Sequence, residues 1–202
     1  MTSIKLYGPS FGTGFRCYWT LHELELPFES MPIDFAAGQL RSEEFLKLNP
    51  MGQVPVIDVD GFVLAESIAI NHYLVAKFKP EFSGKTLEEQ AVGLKWSIWA
   101  MLNINGSFGT LASPSYTHKA LEPTKEQEVK ENLAKRLPIF EACLNERAYV
   151  LSTGFSLADV NICSVFAYAD LAQFDLSAYP NIVSWVKRCH DRPSFLKATT
   201  KA

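Results

Sequence analysis

Asn49-Pro50-Met51-Gly52-Gln53-Val54-Pro55-Val56, followed ten residues after Pro55 by Ala65-Glu66-Ser67-Ile68-Ala69, is the stretch on which the reading of this chain turns. Pro50 ends a short helical pattern, Ser42 to Leu48, because a prolyl ring disfavours helix in the residue before it. Pro55 falls inside an apparent strand, Val54 to Val59, where a residue without an N–H makes little sense as a pairing partner. Asp60-Gly61 is the kind of two-residue link that closes an antiparallel hairpin, since both positions accept positive φ, and Phe62 to Ala65 is the returning strand. Ser67 stands where a helix N-cap belongs, ahead of the apolar positions Ile68, Ile70, Tyr73, Leu74 and Phe78. A turn, a strand proline and an acid-hydroxyl pair opening a helix bring together main-chain and side-chain hydrogen bonding of the sort that grips a peptide.

Working outward, Ile4 to Tyr7 begins a strand, Gly8 to Gly14 is a loop of Gly, Pro and Ser, and Phe15 to Leu26 is a helix that Pro27 stops. Glu29 to Ile33 reads as a second strand. From Leu87 the strand signal vanishes, and amphipathic stretches run over Leu87 to Ile104, Thr124 to Leu144, Leu157 to Phe174 and Ile182 to Cys189. Ser156-Leu157-Ala158-Asp159 has the form of a capping box with Asp in place of Glu, a structural element. Phe82 to Thr86 is the natural linker, so the predicted domains are residues 1–80, α/β, and 87–202, all helical.

The 202 residues are 48% hydrophobic and 20% charged, enough for a buried core, and a formal charge of −3 offers no basic footprint for nucleic acid or an anionic membrane. Neither a signal peptide nor a run of about 18 apolar residues is present, which predicts a cytoplasmic protein. Cys17, Cys143, Cys163 and Cys189 lie far apart and read as reduced core thiols, and His22, His72, His118 and His190 lack metal-ligand spacing, so no metal is expected. Asn105-Gly106-Ser107 reads as a turn. Gly8, Gly12 and Gly14 follow a strand and precede a helix but lack the Gly-Lys-Ser/Thr of a nucleotide loop and the spacing of a dinucleotide fingerprint.

Asn49 to Pro55, Glu66-Ser67, the Phe155 to Val160 segment, and Tyr179 to Trp185 running on to Arg192-Pro193 together resemble the cytosolic glutathione transferases over nearly the whole chain. The resemblance implies a thioredoxin-like N-terminal domain followed by an all-α C-terminal domain, a homodimer, and detoxification chemistry with glutathione as co-substrate and a small hydrophobic electrophile as its target. By the same resemblance Val54 pairs its backbone with the cysteinyl part of glutathione as an added strand does, beside a cis Pro55. Glu66 and Ser67 take the γ-glutamyl end, with the helix N-terminus holding its carboxylate. Gln53 is a side-chain contact, and Arg41 falls where the family often has a Lys for the glycyl carboxylate.

At the sulfur end the chain departs from the serine-type pattern. Anchored on Arg16 and Trp19, Gly12 occupies the position of the usual catalytic hydroxyl. Ser10 and Thr13 are the neighbouring hydroxyls; Tyr7 ranks below them, Cys17 is a core thiol on the first helix, and the amides of Gly12 or Thr13 are a further possibility. Phe11, Trp99, Asn103 and Tyr116 are the candidate electrophile-pocket residues, with Trp96, Met101, Leu102 and Phe108 on the same stretch. The expected activity is glutathione transfer. A glutathione-fold binding protein without turnover, or a glutathione-dependent peroxidase or disulfide reductase, are the rivals.

Overall fold

The computed structural model describes residues 2–200, which form two compact units: residues 2–80 with 192–200, and residues 81–191. The first is a four-stranded sheet with helices. Strands β1 (Ile4–Tyr7), β2 (Glu29–Met31), β3 (Val56–Val59) and β4 (Phe62–Ala65) stand in the order β2-β1-β3-β4; β1 pairs parallel with β2 and antiparallel with β3, and β3 pairs antiparallel with β4. The parallel pair needs a crossover, which α1 (Phe15–Glu23) supplies. Ile4 and Leu6 on β1, Val56 and Ile57 on β3, and Ile70 and Leu74 on α3 (Ser67–Phe78) are buried and fill the core. Asp60 and Gly61 both adopt positive φ and join Val59 to Phe62 as the sequence predicts.

Several expected boundaries move. The first helix ends at Glu23, three residues short of Leu26, because Glu25 turns left-handed at φ 54° and the Leu26 amide bonds the Leu21 carbonyl before Pro27 is reached. Strand β2 stops at Met31 rather than Ile33, and β3 starts at Val56, so Pro55 precedes the central strand instead of interrupting it. Ser67 is the first residue of α3, not its cap; Glu66 holds that place, at φ 71°. Helix α2 (Glu43–Leu48) is capped by the Ser42 hydroxyl, which accepts the Phe45 amide.

The second unit is helical: α4 (Leu87–Ala100) runs through a π-helical segment, Met101–Asn105, into α5 (Gly106–Ala112), followed by α6 (Pro114–Thr117), α7 (Pro123–Cys143), α8 (Leu157–Leu171) and α9 (Pro180–His190). Asn105-Gly106-Ser107, read from sequence as a turn, is therefore helical. The Asn132 side chain on α7 donates to the Asn103 carbonyl at 2.9 Å and to Ser107 Oγ at 2.9 Å, which satisfies polar groups released by the wider π turn. Phe108, Phe140, Phe166 and Trp185 pack as an aromatic core. The capping box forms: Asp159 is fully buried and accepts the amides of Val150 and Ser156, the Ser156 hydroxyl and the Trp185 indole N–H, at 2.8–2.9 Å. Burial raises its carboxyl above the usual range while these four donors pull it back.

The last helix, α10 (Pro193–Thr199), belongs with the first unit, whereas the sequence assigns the whole of 87–202 to the helical domain. The reason is a set of contacts with α1. Arg192 pairs with Glu23, the Trp19 indole donates to Ser194 Oγ at 3.1 Å, and the Phe195 ring meets Phe15 and Trp19 edge-on.

Candidate functional site

Within the first unit, a cavity of about 390 Å³ opens where the β1–α1 loop, the segment ahead of β3 and the start of α3 meet. Its lining includes Thr13, Gln53, Val54, Pro55, Glu66 and Ser67, six of the residues singled out from sequence. The Val54–Pro55 peptide bond is cis, as the resemblance implies. Val54 stands just before β3, outside the strand ladder, and its carbonyl accepts the Thr13 hydroxyl at 3.4 Å. Among the described residues no acceptor is found for the Val54 N–H. Its main chain can therefore pair with an extended ligand in the manner of an added strand.

At the opposite wall α3 begins. Its first-turn amides, Ser67 to Ala69, have no intrahelical acceptor, and the helix dipole adds partial positive charge there, so this wall favours a carboxylate. Glu66, exposed, supplies a negative charge beside it that suits an ammonium. A non-glycine residue at φ 71° is a strained backbone of the kind that concentrates at binding sites. An amino acid head group, carrying both charges on one carbon, matches this pairing.

Asn49 and Leu40 line the cavity without having been assigned a role from sequence. Asn49 is buried and organises the turn: its carbonyl accepts Gly52 N–H, its side-chain oxygen accepts Met51 N–H, and its amide donates to the Gln53 carbonyl at 2.8 Å. Its place in the opening stretch was the available signal. Arg41 is exposed, does not line the cavity, and lays its guanidinium against Gly52.

On the β1–α1 loop the two candidate hydroxyls separate. Thr13 lines the cavity and Ser10 does not; Ser10 lies partly covered on the same loop, and Phe11 beside it is 68% exposed. Gly12 sits at φ 63°, a left-handed conformation that strains any side chain. Cys17 is fully buried on α1 and its thiol contacts the Ser67 carbonyl at 3.7 Å; desolvation pushes it up to about 12, against a smaller pull from Arg16, which makes it inert.

The remaining candidates lie in the helical unit. Trp96 and Phe108 are buried core, while Trp99, partly exposed, stacks on Phe140 at 5.9 Å between ring centres. Asn103 in the π segment donates to the Trp99 carbonyl at 2.9 Å. Tyr116 is 58% exposed on α6 and donates to the Gly109 carbonyl at 3.1 Å. Among the described residues no group of acidic, histidine or cysteine side chains can hold a metal ion, and no helix is long and apolar enough to cross a membrane.

Two family models match: the glutathione S-transferase N-terminal domain over residues 2–76 and the corresponding C-terminal domain over residues 105–193. Glutathione S-transferase 1 of Zea mays is 34% identical across 98% of this chain and 96% of its own length. Among solved structures, that of glutathione S-transferase-I bound with lactoylglutathione is similar with a TM-score of 0.89 at 30% identity, covering 96% of this chain and 97% of the other. Glutathione transferase F7 from Populus trichocarpa gives 0.87 at 29% identity, with the same coverage of both chains. With both family domains matched in order and a relative 34% identical over nearly the whole chain, the chain belongs to the glutathione S-transferase family.

Proposed function

We propose that this protein is a glutathione transferase that binds glutathione along Val54 and presents its sulfur to Thr13. The supporting observation is the cavity that gathers Thr13, Gln53, Val54, Pro55, Glu66 and Ser67, with a free main-chain donor in the middle and an anion-favouring helix end at one side. The γ-glutamyl carboxylate takes the first turn of α3, its ammonium faces Glu66, and the cysteinyl amide pairs with Val54. Arg41 reaches the glycyl carboxylate by a side-chain swing past Gly52.

Catalysis consists of favouring thiolate over thiol. A free thiol titrates near about 8.5, and each unit of lowering needs about 1.4 kcal/mol of preferential binding to the anion. The Thr13 hydroxyl, now spending its hydrogen on a long bond to Val54, turns that hydrogen toward sulfur. Solvent receives the thiol proton, the thiolate then forms a bond to an electrophilic carbon, and the departing group leaves with its electron pair. The helix that begins two residues later adds its dipole.

The working unit is a cytoplasmic homodimer in this reading. Leu94, Ile98 and Leu102 recur every four residues along α4 and its π extension and are 38%, 45% and 79% exposed, an apolar stripe that a second copy covers. Conjugation of a model aromatic halide with glutathione tests the function. Turnover above the uncatalysed rate is expected; saturable glutathione binding without turnover would place the protein among binders, and activity confined to a hydroperoxide or mixed disulfide would make it a reductase.

A further inference from the structure

The loop that carries Thr13 is tied to α1 at both of its ends, beside the Gly8 amide's bond to the Met31 carbonyl and the Thr13 hydroxyl's bond to Val54. At its start the Tyr18 hydroxyl donates to the Gly8 carbonyl at 2.9 Å and accepts from the Ser30 hydroxyl. At its end the Gly14 carbonyl accepts the Cys17 and Tyr18 amides at 2.8 and 3.2 Å, and a Cβ on Gly14 would meet the Pro9 carbonyl oxygen at 2.3 Å, so the loop is folded tightly back on itself. A rotation or shift of α1 therefore moves Thr13.

What fixes α1 from another side is α10. Phe195 is buried with its ring edge-on to Phe15 at 5.4 Å and to Trp19 at 5.0 Å, and Phe15 is the first residue of α1, two after Thr13. Below that contact Ser194 Oγ accepts the Trp19 indole N–H and donates to Glu23, whose carboxylate also takes both the Nε and an Nη hydrogen of Arg192. Glu23 is nearly covered, with only 10% of its side chain exposed, so this fork-shaped pair is more than a solvated surface contact. Phe195 grips the loop end of the helix and the Glu23–Arg192 pair grips the other.

We infer that Phe195 and Arg192 are positioning residues for thiolate formation, because α10 clamps both ends of α1 and so sets where the Thr13 hydroxyl stands relative to Val54. The inference rests on the proposed glutathione transfer and on Thr13 as the donor. It also means that a segment more than 110 residues distant in sequence from residue 80 is part of the machinery of the N-terminal unit.

The test uses the full-length chain with Phe195→Leu, Arg192→Gln and Arg192→Lys, and with Leu133→Ala in the helical unit as a destabilised control. The readouts are the pH profile of kcat/KM for conjugation of a model aromatic halide and glutathione affinity by calorimetry. Phe195→Leu and Arg192→Gln are expected to lower kcat about tenfold and to move the apparent thiol pKa up by about one unit, toward free glutathione, while glutathione Kd changes less than about twofold. Arg192→Lys restores part of the loss, and Leu133→Ala leaves the pH profile where it was. Unshifted profiles in both α10 variants, or the same shift in Leu133→Ala, overturn the inference while leaving glutathione transfer standing. An inactive wild type overturns the functional reading, and the inference with it. If Phe195→Leu does not fold, the Arg192 pair decides the matter alone.

Discussion

The Thr13 hydroxyl lies 3.4 Å from the Val54 carbonyl oxygen, across a cavity edge that Ser10 does not reach. That contact joins the proposed thiolate donor to the proposed peptide-pairing residue, so the two halves of the chemistry share one hydrogen bond. Thr13→Ala should lower kcat/KM by roughly 100-fold, the scale for one lost anion-stabilising donor, with Thr13→Ser close to wild type and Ser10→Ala nearly silent. Steady-state kinetics with a model electrophile checks this. A silent Thr13→Ala would transfer the role to the loop amides.

Ser67→Ala separates binding from chemistry. The hydroxyl sits at the first turn of α3 on the cavity wall, and its removal should weaken glutathione binding by about 1 kcal/mol without displacing the thiol pKa. Calorimetry and a pH profile on the same variant give both numbers. A displaced pKa with unchanged affinity would put Ser67 at the wrong end of the ligand.

Asp159 carries the stability of the helical unit. It is fully buried with four donors converging on it, so Asp159→Ala should destabilise by about 4 kcal/mol, measured by urea unfolding, because those donors are left without an acceptor. A loss under about 1 kcal/mol would contradict a structural role for the capping box.

Acid should weaken the fold near neutrality. His22, His72 and His190 are all held below the ordinary imidazole value of 6.5, in each case chiefly by burial. As pH falls through 6.5 the unfolded chain takes up protons that the folded one refuses, so stability is full above that value and declines below it until the folded histidines titrate. Asp159 and Asp170 are raised by burial from 3.8 and act in the opposite sense at lower pH, which flattens the decline. Urea midpoints that stay constant from neutral pH down to mildly acid conditions would contradict the burial of these imidazoles.

Dimerisation is tested at the α4 stripe. Ile98→Glu with Leu102→Glu should convert a dimer to a monomer on sedimentation, since a charge on a covered apolar face is left desolvated. A wild-type protein that sediments as a monomer, or a double variant that remains dimeric, would remove the stripe from the interface.

The features legible in the sequence are those fixed by neighbours in the chain. Asp60-Gly61 declares its hairpin because few residues accept positive φ in pairs, and Ser156 to Asp159 declares its box because the partners are three residues apart. Legibility fails where a distant partner decides. Nothing near Asn105-Gly106-Ser107 says that Asn132 will hold it helical, and nothing near Pro193 says that Glu23, 169 residues before Arg192, will draw α10 away from the helices preceding it. At the site, residue types marked the cavity wall, but which of Ser10 and Thr13 lines it depends on the path of a loop whose Gly12 turns left-handed.

Calorimetric titration of the wild-type protein with reduced glutathione tests the central claim, that a tripeptide lies along Val54 between Thr13 and the start of α3. One saturable site per chain is expected, with affinity falling in Ser67→Ala and holding in Thr13→Ala. The absence of heat at millimolar glutathione, or affinity untouched by Ser67→Ala, would contradict it.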